Sequence, residues 1–359
     1  MTAQPPVRTP DGDPSGRPRV TVILPCRNEA RHLGACLDSI LESRYPRDRL
    51  EILVVDGRSD DGTRAIAETY AAERDGVRLL DNPGRIVPTA LNIGVRAATG
   101  DVIARMDAHV VYPPDYLPRL VDALRETGAD NVGGLLVTLP ADGSALARAI
   151  AVALGHPFGV GNAHFRVGTA ERRWVDTVPF GCYPRDVFRR VGLFDEELVR
   201  NQDDEFNLRL IRGGGRILLL PEVVSYYSAR GSRRHLARMY YQYGYFKPLV
   251  ARKVGRVMTL RQLIPAAFVT ALLGGAGVAL AWPPAALAWV GMVALYAILV
   301  LGASLRAGHR YGARCAAALL GVFPTMHLSY GVGYLRGLWD LLIGGRARGR
   351  DPAAVPLSR

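Results

Sequence analysis

Acidic side chains all but disappear after residue 222. Of 33 Asp and Glu only Asp340 and Asp351 lie beyond it, against 17 of the 45 Lys and Arg, so residues 223–359 carry +15 and the first 222 residues carry −3. A nucleic-acid binder would place its positive charge on the folded domain. Here the charge flanks long apolar runs, which excludes nucleic acid as the expected partner and points to anionic membrane lipids. Charge of either sign is missing from Gln262 through Leu305, 44 positions that also lack histidine. Soluble helices keep a polar face and these have none, so a buried helical hairpin is set aside. A membrane helix needs about 20 apolar residues, and residues 263–282 and 285–305 are predicted to be two spans turned at Pro283 and Pro284. Arg252, Lys253, Arg256 and Arg261 precede the first span and Arg306, Arg310 and Arg314 follow the second. That bias puts both ends of the hairpin, and the N-terminal domain, in the cytoplasm.

A further apolar run over residues 315–335 contains Pro324, His327 and Ser329 and is followed by Arg346, Arg348 and Arg350. A third span and a re-entrant or interfacial segment both fit it within a membrane region over residues 262–345. Cysteine is scarce: Cys26, Cys36, Cys182 and Cys315 show no paired spacing, which excludes a disulfide framework and a zinc site and suits reduced cysteines of a cytoplasmic protein. No signal-peptide core opens the chain. Residues 1–18, polar and rich in Pro and Gly, read as a disordered tail, and residues 346–359 as a basic one.

Between these ends the chain alternates short β-rich runs with helical stretches. Residues 20–25, 51–56, 77–80 and 101–106 read as strands, and residues 29–41, 63–73 and 91–98 as helices, which predicts an α/β domain over residues 19–228. Ligands of such sheets gather at the carboxyl ends of strands, where Arg27, Asn28, Asp56 and Asp107 would sit. The strand at 101–106 hands over to Asp107-Ala-His109. Two metal-capable side chains one residue apart at a strand exit suggest a divalent cation serving a phosphate-bearing ligand.

Four phrases in order carry a resemblance: Val22-Ile-Leu-Pro-Cys-Arg-Asn-Glu29, Val54-Val-Asp-Gly-Arg-Ser-Asp-Asp-Gly-Thr63, Asp107-Ala-His109 and Gln202-Asp-Asp-Glu-Phe-Asn-Leu-Arg209. The chain resembles the family 2 glycosyltransferases, nucleotide-sugar-dependent enzymes of GT-A fold. Asn82-Pro-Gly-Arg85, Val175-Asp-Thr-Val-Pro-Phe-Gly181 and Arg200-Asn-Gln-Asp-Asp204 are similar to the exopolysaccharide glucosyltransferases within that family. The resemblance covers most of residues 19–250. It implies a Rossmann-like GT-A (nucleotide-diphospho-sugar transferase) domain followed by a C-terminal α-helical membrane region.

The resemblance also implies roles. Asp107 and His109 fill the family's Asp-x-Asp position and bind Mn2+ or Mg2+, with His109 replacing the second acid. Pro25, Arg27, Glu29, Asp56, Asn92 and Asp107 line the nucleotide-sugar, and Arg85 adds positive charge at the diphosphate. Asp56 has a second reading, as the cap of a turn. Gly57 stands where many relatives carry an acid, so contacts of that acid do not transfer. Asp203 matches the Asp of the family's Glu-Asp motif and is the expected general base, with Asp204 as the alternative. Crowded carboxylates at 203–205 raise at least one pKa, which suits a base, although acids at a helix start also complement its dipole.

One base without a nucleophile implies inversion. Phe158-Gly-Val-Gly-Asn162 and Thr177-Val-Pro-Phe-Gly-Cys182 are loops that admit a sugar ring or serve as turns. Residues 229–261 mix arginines with Tyr240, Tyr241, Tyr243, Tyr245 and Phe246, as suits amphipathic helices in the headgroup layer. The resulting expectation is a plasma-membrane enzyme that moves a hexose, glucose foremost, from a UDP-sugar to a polyprenyl-diphosphate-linked saccharide. A processive synthase, which would need more spans and a Gln-x-x-Arg-Trp motif, and an inactive nucleotide-sugar-binding scaffold are the alternatives.

Overall fold

The computed structural model describes residues 16–229, 231–255 and 260–343. The expected tails, apart from residues 16–18, lie outside these, as do Arg230 and Arg256. The strands are β1 (Val20–Cys26), β2 (Leu50–Asp56), β3 (Val77–Asp81), β4 (Val102–Arg105), β5 (Val110–Val111), β6 (Asn131–Leu139), β7 (Arg173–Val175), β8 (Cys182–Pro184) and β9 (Ile217–Ser228). The helices are α1 (Leu33–Leu41), α2 (Thr63–Glu73), α3 (Val87–Ala97), α4 (Tyr116–Thr127), α5 (Ala145–Leu154), α6 (Pro157–Val160), α7 (His164–Val167), α8 (Val187–Arg190), α9 (Gln202–Arg212), α10 (Arg233–Val254), α11 (Ile264–Ala281), α12 (Pro283–Gly308) and α13 (Ala313–Ile343). They fall into two units, one of residues up to 137 together with 168–227, the other of 138–167 and 228 onward.

The first unit is the α/β domain. Its sheet has the order β3-β2-β1-β4-β8-β6-β9-β5, with β7 on β9. β1 pairs in parallel with β2 and β4, and β2 with β3, whereas β8 runs antiparallel to β4. All seven residues of β1 are buried, which explains why it reads as an unbroken apolar run: a central parallel strand is covered on both faces. The expected α/β fold is borne out, with shifted helix starts. α1 begins at Leu33 instead of 29, because Asn28 takes a left-handed backbone and the Glu29 N–H donates to Thr63 Oγ1 at 2.7 Å. α3 begins at Val87, where Pro88 occupies the first turn at no cost in hydrogen bonds.

The second unit is helical. Ser144 caps α5 by accepting from the Ala147 N–H at 3.1 Å. α10 is one continuous helix of 22 residues across the segment expected to be interfacial. α11, α12 and α13 are each long and apolar enough to cross a membrane. The Phe158 loop belongs to this unit, where its ring packs on Phe323 and its carbonyl meets His327 Nε2 at 2.7 Å. The four cysteines are free and buried.

Candidate active site

The site forms where the order of the parallel strands reverses. β1 is followed by β2 and β3 to one side and by β4 to the other, which opens a crevice at the carboxyl ends of β1 and β4. Glu29, past β1, and His109, past β4, meet there: His109 Nδ1 lies 3.3 Å from Glu29 Oε1 and both side chains are buried. The imidazole packs edge-on against Tyr227 at 5.2 Å.

Arg105 ends β4 with only 9% of its side chain exposed. A guanidinium sunk in an apolar strand requires anionic partners, and it has two. Its Nε and one terminal nitrogen donate to Asp107 Oδ1 at 3.2 and 3.1 Å, and the other terminal nitrogen donates to Asp203 Oδ1. One planar fork thus ties the carboxylate that follows β4 to a carboxylate in the first turn of α9. Burial opposes the Arg105 charge, but Asp107 and Asp203 more than offset this and hold its pKa above the ordinary arginine value. The Asp203 carboxyl is pushed up from the usual range, chiefly by loss of water, with Arg105 opposing and Asp107 and Asp204 adding to the rise.

The acidic cluster is smaller than expected. Asp204 is half-buried, whereas Glu205 turns inward to grip Arg209 at 2.5 and 2.8 Å. Arg209 in turn donates to the carbonyls of Val191 and Leu193 at 2.6 and 2.7 Å. One turn beyond Asp203, Asn207 accepts from Asn131 at 3.0 Å and donates to Thr177 Oγ1 at 2.9 Å. This buried chain pins the Thr177 loop to the helix that carries Asp203.

On the other side of β1, Asp56 is fully buried at the end of β2. Ser59 Oγ and N–H donate to its carboxylate at 2.6 and 3.2 Å, and Arg64 lies 3.6 Å away, which is the geometry of a turn cap. Pro25 is buried beside the half-buried Arg27. The Arg27 stem lies across Gly57, where a Cβ would stand 3.2 Å from Arg27 Cβ. The buried Nε of Arg27 has no hydrogen-bond partner among the described residues. Arg85 is exposed on a turn that the Asn82 side chain closes by donating to the Ile86 carbonyl at 3.0 Å. Asn92, expected at the nucleotide, instead donates to the Phe194 carbonyl at 2.9 Å and to Glu196 at 2.7 Å. Both its amide hydrogens are thereby committed to holding that loop.

Backbone strain marks the same rim. The described non-glycine residues with left-handed φ are Asn28, Arg58, Arg85, Phe180 and Asn201. The first three follow β1, β2 and β3, Phe180 precedes β8 beside the end of β4, and Asn201 precedes α9. Such conformations cost of order 1–3 kcal/mol each and cluster where function overrides local preference.

Among the described residues no three His, Cys, Asp or Glu side chains converge as a metal cage. Mg2+ and Mn2+ in phosphate sites use one or two carboxylates and complete their shell with phosphate oxygens and water. Asp107, 14% exposed at the rim, fits that donor set. The sequence reading missed Arg105, whose signal was a lone charge within Val102-Ile-Ala-Arg-Met106.

Comparison with known proteins agrees with this geometry. The family model described as glycosyl transferase family 2 matches residues 21–192. The succinoglycan biosynthesis protein ExoA of Rhizobium meliloti is 33% identical over 323 residues, 89% of this chain and 94% of that protein. A dolichyl N-acetyl-α-D-glucosaminyl phosphate glycosyltransferase of Methanococcus voltae, which transfers a diacetamido-glucuronosyl group, is 28% identical over 65% of this chain and 74% of its own. The solved mannosyltransferase PcManGT of Pyrobaculum calidifontis, in complex with GDP-Man and Mn2+, superposes with a TM-score of 0.62 at 25% identity, covering 94% of this chain and 91% of that one. Ordered motifs, a parallel sheet with acids at its reversal point and near-complete coverage of a relative converge: the chain belongs to glycosyltransferase family 2 and has the GT-A fold.

Proposed function

We propose that the protein transfers a hexose, glucose foremost, from a UDP-sugar to a polyprenyl-diphosphate-linked saccharide, with inversion, at the cytoplasmic face of the plasma membrane. The observation that supports this is the Arg105 fork, which sets a rim carboxylate and a carboxylate of raised pKa on one buried cation. Asp203 acts as base: it takes the proton of the acceptor hydroxyl as that oxygen attacks the anomeric carbon and the nucleoside diphosphate departs from the opposite face. One displacement inverts the centre, so an α-linked donor yields a β-glycoside. Arg105 holds Asp203 and Asp107 at a fixed spacing. Arg27 and Arg85 supply positive charge for the diphosphate, and Pro25, Glu29 and Asp56 line the nucleoside. Asp107, with His109 beside it, would hold the divalent ion, which when bound neutralises charge on the leaving diphosphate.

The apolar helices provide the anchor at which a lipid-borne acceptor is met. The archaeal relative's name includes a dolichyl phosphate carrier and ExoA's a polysaccharide, which supports a lipid-linked acceptor in surface-glycan synthesis. PcManGT binds GDP-Man, which makes a GDP-hexose the competing donor. The test is a panel of UDP- and GDP-hexoses incubated with protein-bearing membranes, Mn2+ and lipid extract, reading nucleotide release and sugar incorporation. UDP released only with UDP-glucose supports the reading. GDP released instead reassigns the donor, and no release with any donor reduces the protein to a scaffold.

A further inference from the structure

The chain leaves its sheet at the end of β6 and rejoins it at β7, and between the two residues 149–165 carry no Asp, Glu, Lys or Arg. Arg148 and Arg166 bracket this apolar stretch. α5, a helix of 10 residues packed beside α13, takes up the first part of it. Such a helix advances about 15 Å, half of a hydrocarbon core about 30 Å thick. The chain then turns through α6 instead of continuing.

The N–H groups of this turn are bonded within it. Gly155 donates to the Val152 carbonyl at 3.1 Å, His156 to that of Ala153 at 3.3 Å, Gly159 and Val160 to that of His156 at 2.8 and 3.0 Å, and Gly161 to that of Pro157 at 2.8 Å. The Phe158 N–H donates to His156 Nδ1 at 3.1 Å, and Pro157 has none to place. The turn lies so close to α5 that a Cβ at Gly159 would stand 2.3 Å from the Ala153 carbonyl oxygen. A loop in water can leave its donors to solvent. A loop in hydrocarbon cannot, since each unsatisfied group there costs several kcal/mol.

The Phe158 carbonyl is met from α13. His327 Nε2 lies 2.7 Å from it, and His327 Nδ1 lies 3.0 Å from the Tyr296 hydroxyl of α12. A carbonyl only accepts, so Nε2 carries the proton and the neutral ring accepts from Tyr296. The Phe158 ring stands edge-on to Phe323 at 5.1 Å and to His327 at 5.0 Å. These contacts set the depth of the turn. Tyr296 precedes Leu305, the last residue of the uncharged run, by nine positions, which is about 14 Å along the helix. In a spanning α12 that is close to the bilayer midplane.

We propose that residues 149–161 are a separate membrane insertion: α5 enters from the headgroups beside α13, the chain turns at residues 157–161 among the acyl chains and returns to the side it left, and His327 is the positioning residue that seats the turn. The partner of this segment is the acyl layer itself. The catalytic chain is thereby fastened to the bilayer by an excursion from its own sheet as well as by its C-terminal helices. The proposal needs only that the hairpin of α11 and α12 spans, and it is independent of the sugar chemistry.

The test is spin labelling of single added cysteines in the full chain in liposomes, reading collisions with lipid-soluble O2 against those with a water-soluble nickel chelate. The unmutated protein, whose four cysteines are buried, gives the background. Pro157→Cys reports the turn, Ile298→Cys the open face of α12 at the depth of Tyr296, and Glu73→Cys the aqueous side. The O2-to-nickel ratio at 157 should match that at 298 and exceed that at 73. A nickel-favoured label at 157 beside an O2-favoured one at 298 overturns the proposal, and a nickel-favoured label at 298 removes the spanning hairpin and overturns it too. Added to Pro157→Cys, His327→Leu strands the Phe158 carbonyl and should shift the label toward nickel, whereas His327→Gln keeps an N–H donor and should hold it. An unchanged ratio in His327→Leu overturns the role of His327. Val160→Cys gives the same readout if Pro157→Cys fails to insert.

Discussion

Replacing Arg105 with Gln removes a buried cation that Asp107 and Asp203 share. Breaking a buried ion pair costs about 3–5 kcal/mol, because the remaining charge is stranded. Asp203 keeps 35% of its side chain exposed, so solvent screens part of this and about 2–3 kcal/mol is the appropriate figure. At 1.36 kcal/mol per pKa unit, the loss appears as a further rise of about two units in the Asp203 carboxyl, already above the usual range. A base works only when ionised, so the acid limb of the kcat–pH profile should move toward neutral pH by about two units, and activity at pH values below the wild-type limb should fall by about 100-fold. Arg105→Lys keeps the charge but not the planar fork and should recover part of the shift. The assay is kcat against pH at saturating donor and Mn2+, with a urea midpoint as a check on folding. An acid limb at the wild-type position in Arg105→Gln, with only the urea midpoint lowered, would refute the link between Arg105 and the base.

Asp203→Asn should abolish transfer while nucleotide-sugar binding, measured by calorimetry, stays within about threefold; lost binding reassigns the residue to the donor pocket. Because the folded pKa of Asp203 is raised, its ionised form weighs against folding above the unfolded pKa. The Asn variant should accordingly melt no lower than wild type at pH 7.5. Asp107→Ala should weaken Mn2+-dependent nucleotide binding by at least tenfold, and an unchanged Mn2+ titration removes Asp107 from the site. Asn207→Ala strands the Asn131 amide and frees Thr177; about 1–3 kcal/mol of stability should be lost, and an unchanged urea midpoint would show that the buried chain carries no load.

The parallel half of the sheet was legible because β1 and β2 are nearly continuous apolar runs that end in polar turns, and the acids at their tips could be read from position alone. The antiparallel half was not: β6, β8 and β9 pair across 40 or more residues, a relation no local pattern encodes. Arg105 was missed because a charge between Ala104 and Met106 reads as an interruption of a strand unless its two partners, one of them in α9, are already in view. Asn92 and Glu205 misled for the converse reason. Each stands near the motifs in sequence, yet Phe194, Glu196 and Arg209 engage them once the chain is folded. The hairpin was plain from composition, whereas α13 was ambiguous because its orientation depends on what packs along it.

Residue 57 has no side chain, and Arg27 lies in the space so left. The Arg27 stem thus takes the room that a side chain at 57 would need. On the proposed reading, an incoming sugar nucleotide, itself a dianion, would meet attraction from the Arg27 charge there. Its association rate should climb as ionic strength falls, with a Debye length of about 10 Å at 0.1 M setting the reach of that pull.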